Sequence, residues 1–271
     1  MHRPQDAAGL VAYVPYGEAH DDGQGRTEDM TVADSMSACP GATRTRLVST
    51  HCPASKHLSA QTVAPETDII VNHIIIRACQ NSDRRPCEEL IRGAFWDVYR
   101  PGCVEHLLAH QAWDSPDLAF ALIAEDDDIA GCLIGTLAQV AGPSGRTRQV
   151  LYLGPLAVSP ARQHEGIGTQ LMQHGLTEGA RLGLAEAFLY GDPGYYARFG
   201  FRNAASLGVS TAKGANFDAF MGIELAPARK PGEDGRLHEA SVFDFSPDRL
   251  AEFDAQFPIR VKHVRPGQFA Q

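Results

Sequence analysis

No apolar run in the 271 residues approaches the ~20 needed for a membrane-spanning helix, which excludes a helical transmembrane protein and gives no reason to expect a membrane partner. Positive charge is in short supply. Lys and Arg number 24 against 33 Asp and Glu, for a net charge of -9. No basic patch stands out, so nucleic acid is not expected as a partner. The first 67 residues lack the charged start and apolar segment of a secretory signal, and their Asp and Glu argue against a mitochondrial transit peptide. The six cysteines (Cys39, Cys52, Cys79, Cys87, Cys103 and Cys132) include no C-x-x-C pair and no Cys/His set with zinc spacing. No metal is expected, and scattered thiols predict a reducing, cytoplasmic setting rather than a structural disulfide.

What is present changes character near Thr67. Residues 1–67 are rich in Gly, Ser, Thr, Pro, Asp and Arg, have little periodicity, and read as a disordered leader or a mis-assigned start, with Met30 or Met36 as other initiation points. From Ile69 the chain becomes orderly. Ile74-Ile75-Ile76-Arg77 reads as a strand, and Leu90, Ile91, Ala94 and Phe95 recur at helical spacing after a cap at Ser82 or Asp83. Pro101-Gly102 breaks that helix, and a second one spans Glu105 to Trp113. Phe120 to Glu125 and Ile129 to Val140 read as strands joined at Asp126-Asp127-Asp128. These aspartates lack the alternating spacing of a calcium loop and read as a solvated turn.

Gln149 to Val158 is a strongly apolar strand interrupted by Gly154-Pro155, which predicts a bulge or a splayed edge because proline cannot donate a ladder bond. Gly166 to Leu182 is amphipathic, with Gly183 placed to cap it. Then come a strand (Leu184 to Tyr190), a short helix (Pro193 to Phe199), a late strand (Ala219 to Leu225) and a final helix (Pro247 to Gln256). The order predicts an α/β (α+β layered) domain over residues 68–226, with residues 227–271 as a C-terminal extension packed on it.

The chemistry is carried by the strand–loop–helix Leu156 to Thr169. Two glycines, Gly166 and Gly168, open the helix, whose first N–H groups and dipole favour an anion. A P-loop would need Gly-Lys-Ser/Thr, which is missing here, and a dinucleotide fingerprint would need a third glycine where Leu171 stands. What remains is Q/R-x-x-G-x-G/A, here Gln163-His164-Glu165-Gly166-Ile167-Gly168, preceded by the broken strand at Gly154-Pro155. A second motif is Gly191-Asp192-Pro193-Gly194-Tyr195-Tyr196-Ala197-Arg198-Phe199-Gly200-Phe201.

With these two motifs the sequence resembles the GNAT superfamily of acyl-CoA N-acyltransferases, in the manner of a branch of bacterial predicted N-acetyltransferases, from about Ile74 to the C-terminus. The resemblance implies a mixed central sheet with a splayed strand flanked by helices. It implies acetyl-CoA as cosubstrate, with the pantetheine arm along Leu156, Ala157 and Val158 and the pyrophosphate on Gln163, His164, Glu165, Gly166, Ile167, Gly168 and Thr169. It also implies an amine acceptor attacking directly, with Tyr196, four residues before Gly200-Phe201, protonating the thiolate.

The residues name no single base. Glu186 is a weak candidate whose other reading is a solvated strand-edge charge. Glu105 and His106 are weak candidates for binding the amine or acting as base, against the plainer reading of a solvated helix start. Within the loop, Glu165 is expected to point to solvent. Cys103 is expected to be a small semi-buried residue rather than a nucleophile, and Trp96 and Trp113 to be packing anchors or pocket walls. Competing functions are a non-catalytic acyl-CoA sensor, a protein lysine or N-terminal acetyltransferase, and a nucleotide-using enzyme. A homodimer stays open.

Overall fold

A computed structural model describes residues 74–225 and 234–268. The expectations for residues 1–67, including Cys39 and Cys52, lie outside the described residues. Among those described, nine strands form one sheet. They are β1 (Ile75–Ala78), β2 (Leu118–Glu125), β3 (Ile129–Ala141), β4 (Thr147–Val158), β5 (Glu186–Tyr190), β6 (Arg202–Asn203), β7 (Val209–Thr211), β8 (Phe220–Glu224) and β9 (Gly235–His238). The main path runs β1-β2-β3-β4-β5-β8-β6, while β9 pairs with the end of β3 and carries β7 on its other side. Pairing is antiparallel except between β4 and β5 and between β7 and β9. The helices are α1 (Arg84–Phe95), α2 (Glu105–Trp113), α3 (Ile167–Arg181), α4 (Pro193–Tyr196) and α5 (Pro247–Asp254).

The alternation of side chains along each strand sorts the core into two layers. On β3, Cys132 and Ile134 face α1 and α2, where they pack with Cys87, Ile91, Phe95 and Leu108. Leu133, between them, faces α3 and packs with Ile167, Leu171 and Met172. The helical spacing of Ile167, Leu171 and Met172 therefore matches one face of the sheet. Gly183 ends α3 in the left-handed region (φ 77°). Its N–H donates to Ala180 O and that of Leu184 to Gly179 O, a Schellman closure that satisfies two orphan carbonyls.

The expected elements from the first strand to α5 are present, with β2 starting at Leu118 rather than Phe120. Three strands were not expected. β6, β7 and β9 span two, three and four residues, too short for a period-2 pattern to register. Through β9 the C-terminal stretch enters the sheet against Gln139, Val140 and Ala141.

Leu133 is fully buried at the junction of β3 and α3. Leu133→Ala is expected to lower unfolding stability by about 2–5 kcal/mol, by lost transfer energy plus a cavity. Urea unfolding followed by circular dichroism measures it; a loss under 1 kcal/mol would mean that the site collapses freely.

Candidate active site

The site begins where β4 and β5 part. The two parallel strands pair only at Leu151↔Ala187 and Tyr152↔Phe188. β5 continues on β8 as far as Tyr190↔Phe220, and β4 continues on β3 as far as Gly131↔Val158. Between these continuations lies a gap, and the register of β4 on β3 shifts by one residue within it, where Gly135 pairs with Leu153 but Leu133 pairs with Leu156. The bulge contains Gly154-Pro155, whose peptide is cis. Beyond it the ladder alternates regularly. Ser159 N–H donates to Ala130 O at 2.8 Å, so the N–H of Ala157 also points toward β3, and those of Leu156 and Val158 point into the gap.

The loop after β4 leads to the start of α3. His164 (φ 69°) and Gly166 (φ 82°) both adopt left-handed backbone, which curls successive N–H groups toward one side ahead of the helix. Gly166 has open space where a side chain would stand, whereas a Cβ on Gly168 would lie 2.8 Å from the Tyr195 hydroxyl. The two glycines thus have different reasons, an open approach at the first and close packing at the second. Ile167 and Gly168 are buried, Gln163 and Thr169 half-buried, and His164 and Glu165 exposed. Gln163 Nε2 reaches Val158 O in a long contact of 3.5 Å. Thr169 hydrogen-bonds the Tyr195 side chain. Glu165 is exposed and held by Arg162, whose guanidinium also takes Asp126 of the β2–β3 turn, at 2.8 and 2.9 Å. Arg162 and Tyr195 were not singled out in the sequence, because their partners are supplied by the fold.

Tyr196 follows β5 through the short α4, which Asp192 caps by accepting from Gly194 N–H at 2.8 Å. The tyrosine is fully buried in the same apolar cluster as Leu156 and Val158, and its hydroxyl has no hydrogen-bond partner. The Tyr195 and Phe201 rings enclose it edge-on, with centroids at 4.8 and 5.9 Å. A Cβ on Gly191 would strike its ring. Burial, with smaller contributions from Tyr195, Tyr99 and Asp192, pushes the phenol well above its ordinary pKa. A buried hydroxyl without a hydrogen-bond partner is costly.

The remaining candidates are placed as follows. Glu186 opens β5 at the paired end of the two strands, one residue before Ala187, and its carboxylate is 2.8 Å from Arg148 Nε. It is a buried ion-pair member, not a solvated edge charge. Glu105 and His106 are also buried, against the expectation of a solvated helix start, with exposures of 2% and 0%. Glu105 Oε2 accepts Val104 N–H at 2.9 Å, and burial raises the carboxyl to about 7. Its field and that of Asp192 act on Tyr99, which is itself one of the groups acting on Tyr196. His106 lies under α5, between Cys103 Sγ (3.3 Å from Nδ1) and Asp254 Oδ1 (3.4 Å from Nε2), and burial lowers it to about 4. The Cys103 thiol is pushed well up by burial. Trp113 packs in the core with Nε1 donating to Glu88, while Trp96 Nε1 donates to Val261 O.

Residues 87–201 match the profile of the Acetyltransferase (GNAT) family. That stretch is similar to a GNAT acetyltransferase domain. Among similar proteins, the uncharacterized N-acetyltransferase YhbS of Escherichia coli strain K12 is 34% identical over 102 residues, 37% of this chain and 60% of that protein. The chain therefore spans three-fifths of the length of the curated relatives it matches. The crystal structure of Escherichia coli YhbS in complex with CoA superposes with a TM-score of 0.56 at 26% identity, over 63% of this chain and 91% of that one. A GNAT acetyltransferase from Brucella melitensis in complex with acetyl-CoA gives 0.53 at 26% identity, over 64% and 99%. The mixed α/β layering of these GNAT structures is the fold seen here. Among the described residues no cluster of His, Cys, Asp or Glu could hold a metal, and no helix is long and apolar enough to cross a membrane.

The raised carboxyl of Glu105 is a stability statement. Folding disfavours its charged form, so its contribution is intact below about pH 4.5 and lost as pH rises to about 7. The buried His106 runs the opposite way, but in wild type and variant alike. Glu105→Gln is expected to gain stability relative to wild type by roughly 3 kcal/mol between pH 4.5 and pH 8. Urea melts at both pH values measure it, and a pH-independent difference would contradict the buried, cation-poor site.

Proposed function

We propose that the protein is an acetyl-CoA-dependent N-acetyltransferase that passes the acetyl group to a primary amine by direct attack. The observation that carries this reading is the Tyr196 hydroxyl, buried and without a partner in the apolar cluster that contains the splayed end of β4. Acetyl-CoA is read as lying in the gap, its pantetheine arm along Leu156, Ala157 and Val158. The N–H groups of Leu156 and Val158 are the available donors, and that of Val158 can also polarise the thioester carbonyl. The pyrophosphate is assigned to the loop from Gln163 to Thr169, where the left-handed turns and the start of α3 concentrate amide donors.

In the proposed reaction the amine nitrogen bonds to the thioester carbon, the carbon–sulfur bond breaks, and Tyr196 gives its proton to the departing thiolate. The amine must first lose a proton. We assign that role to Glu105, a buried carboxyl raised to about 7 and therefore matched to a base working near neutral pH. Glu186 is left in its ion pair with Arg148. The domain is taken to span residues 68–226 with 227–271 as its extension, and the four described thiols, all free, support a reducing, cytoplasmic setting.

Calorimetry with acetyl-CoA and with ATP, followed by CoA release against polyamines, amino acids, aminoglycosides and peptides, tests the reading. Tyr196→Phe is expected to lower kcat by about 10²-fold with acetyl-CoA affinity unchanged. Full activity of the variant would remove the general-acid role. Tight acetyl-CoA binding with no turnover of any amine would mark a sensor, and a preference for ATP would overturn the assignment.

A further inference from the structure

The loop between α1 and α2 is closed into a ring and then tied down by the C-terminal residues. Asp97 is 1% exposed and non-glycine, yet adopts φ 59°. Its N–H donates to Gly102 O at 2.9 Å, and its Oδ1 accepts Gly102 N–H at 2.7 Å. These two bonds make residues 97–102 a closed loop, with Tyr99 and Arg100 at its turn.

The C-terminal segment holds the same aspartate from the other side. Asp97 Oδ1 accepts His263 N–H at 3.1 Å, and Oδ2 is 2.9 Å from His263 Nδ1. The Asp97 carbonyl accepts Gln268 Nε2 at 2.9 Å. Upstream of His263, the carbonyls of Gln256, Pro258 and Val261 accept from Arg85, Arg92 and Trp96 at 2.7, 3.1 and 3.0 Å, all three donors on or next to α1. The Lys262 stem lies over Gly102, with Cε 3.0 Å from where a Cβ would stand. Residues 256–268 thus form a strap with no helix or strand of its own, bonded along α1 and ending on Asp97.

What the strap holds is next to the chemistry. Tyr99 stands in the closed loop and packs on Phe95 of α1, with ring centroids 6.2 Å apart, and it is near enough to Tyr196, Glu105 and Asp192 to interact with them electrostatically. Helix α2 begins with Glu105, three residues after Gly102. We infer that Asp97 is a positioning residue for the acceptor side of the site: it joins the C-terminal strap to the loop of Tyr99 and Arg100, and so sets where the amine meets Glu105 and Tyr196. The inference rests on the acetyltransferase reading for its kinetic part only. The strap's bonds given above go to α1, Trp96 and Asp97 rather than to Leu156–Val158 or the loop before α3, so acetyl-CoA binding is expected to be independent of it.

The double variant His263→Ala/Gln268→Ala, in the full chain, removes the two side-chain bonds from the strap to Asp97, leaves the His263 N–H bond and Arg265 in place, and does not alter the loop. Amide hydrogen exchange across residues 98–104 is expected to quicken about tenfold, with β3 unchanged. KM for the amine is expected to rise about five- to tenfold, with kcat and acetyl-CoA affinity each within about twofold. His263→Asn places a side-chain amide near the position of Nδ1 and should restore most of the protection and the KM. Unchanged exchange at 98–104 overturns the inference, as does a KM equal to wild type or an equal fall in kcat and acetyl-CoA affinity. If the wild type binds no acetyl-CoA, the acetyltransferase reading fails by itself, and hydrogen exchange alone decides the role of the strap.

Discussion

Two strands hydrogen-bonded along their whole length leave no room for a ligand between their backbones. β4 and β5 share only the rungs at Leu151 and Tyr152, and the rest of the site depends on that early parting. The bulge at Leu153–Leu156 turns β4 away while keeping it on β3, so the strand stays rigid even as one of its edges is exposed. The N–H groups of Leu156 and Val158 are then donors in a buried apolar setting, where a bond to a ligand is worth more than in water. Tyr196 enters from the other side of the gap because β5 hands the chain directly to α4. Bulge, gap and phenol form a single arrangement.

Charge is managed locally rather than globally. A chain with a net charge of -9 would repel a polyanion if its overall field decided binding. At the start of α3 the donors are amides, which carry no net charge, and the nearby carboxylates are occupied. Arg162 takes both Glu165 and Asp126, which ties the β2–β3 turn to the loop and offsets one of the two negative charges at its approach. Glu165 in the middle of the proposed anion loop is compatible with that chemistry because it is paired.

The start of α2 shows the opposite economy. Glu105 and His106 are both buried, and each is pushed toward its neutral form, the carboxyl up and the imidazole down. Neighbouring residues on a helix face different directions, and here the difference separates their work. Glu105 bonds back to the Val104 N–H at the head of α2, while His106 turns beneath Phe253 and Phe257, 5.3 and 5.1 Å from their ring centres. One belongs to the chemistry proposed here, and the other fastens α5 to the domain.

Much of this was legible before any coordinates. The helical period of Ile167, Leu171 and Met172, the Gly-Pro break in an apolar strand, the glycine-opened helix and the tyrosine before Gly200-Phe201 are local signals, written in residues close together in the chain. They pointed to the α/β layering and the anion-ready loop, and they carried the resemblance that implied CoA. Other features need partners that only the fold supplies. Arg148 makes Glu186 an ion-pair member, Asp254 and the Phe253 and Phe257 rings bury His106, and the Tyr195 hydroxyl explains Gly168. The short strands β6, β7 and β9 exist because neighbours offer them ladders, not because two to four residues prefer to be extended. Sequence alone therefore determined which chemistry the chain is equipped for, since that is set by residue type at short spacing. The tertiary structure decided which ionisable groups are available to it, since burial and pairing arise between segments far apart in the chain.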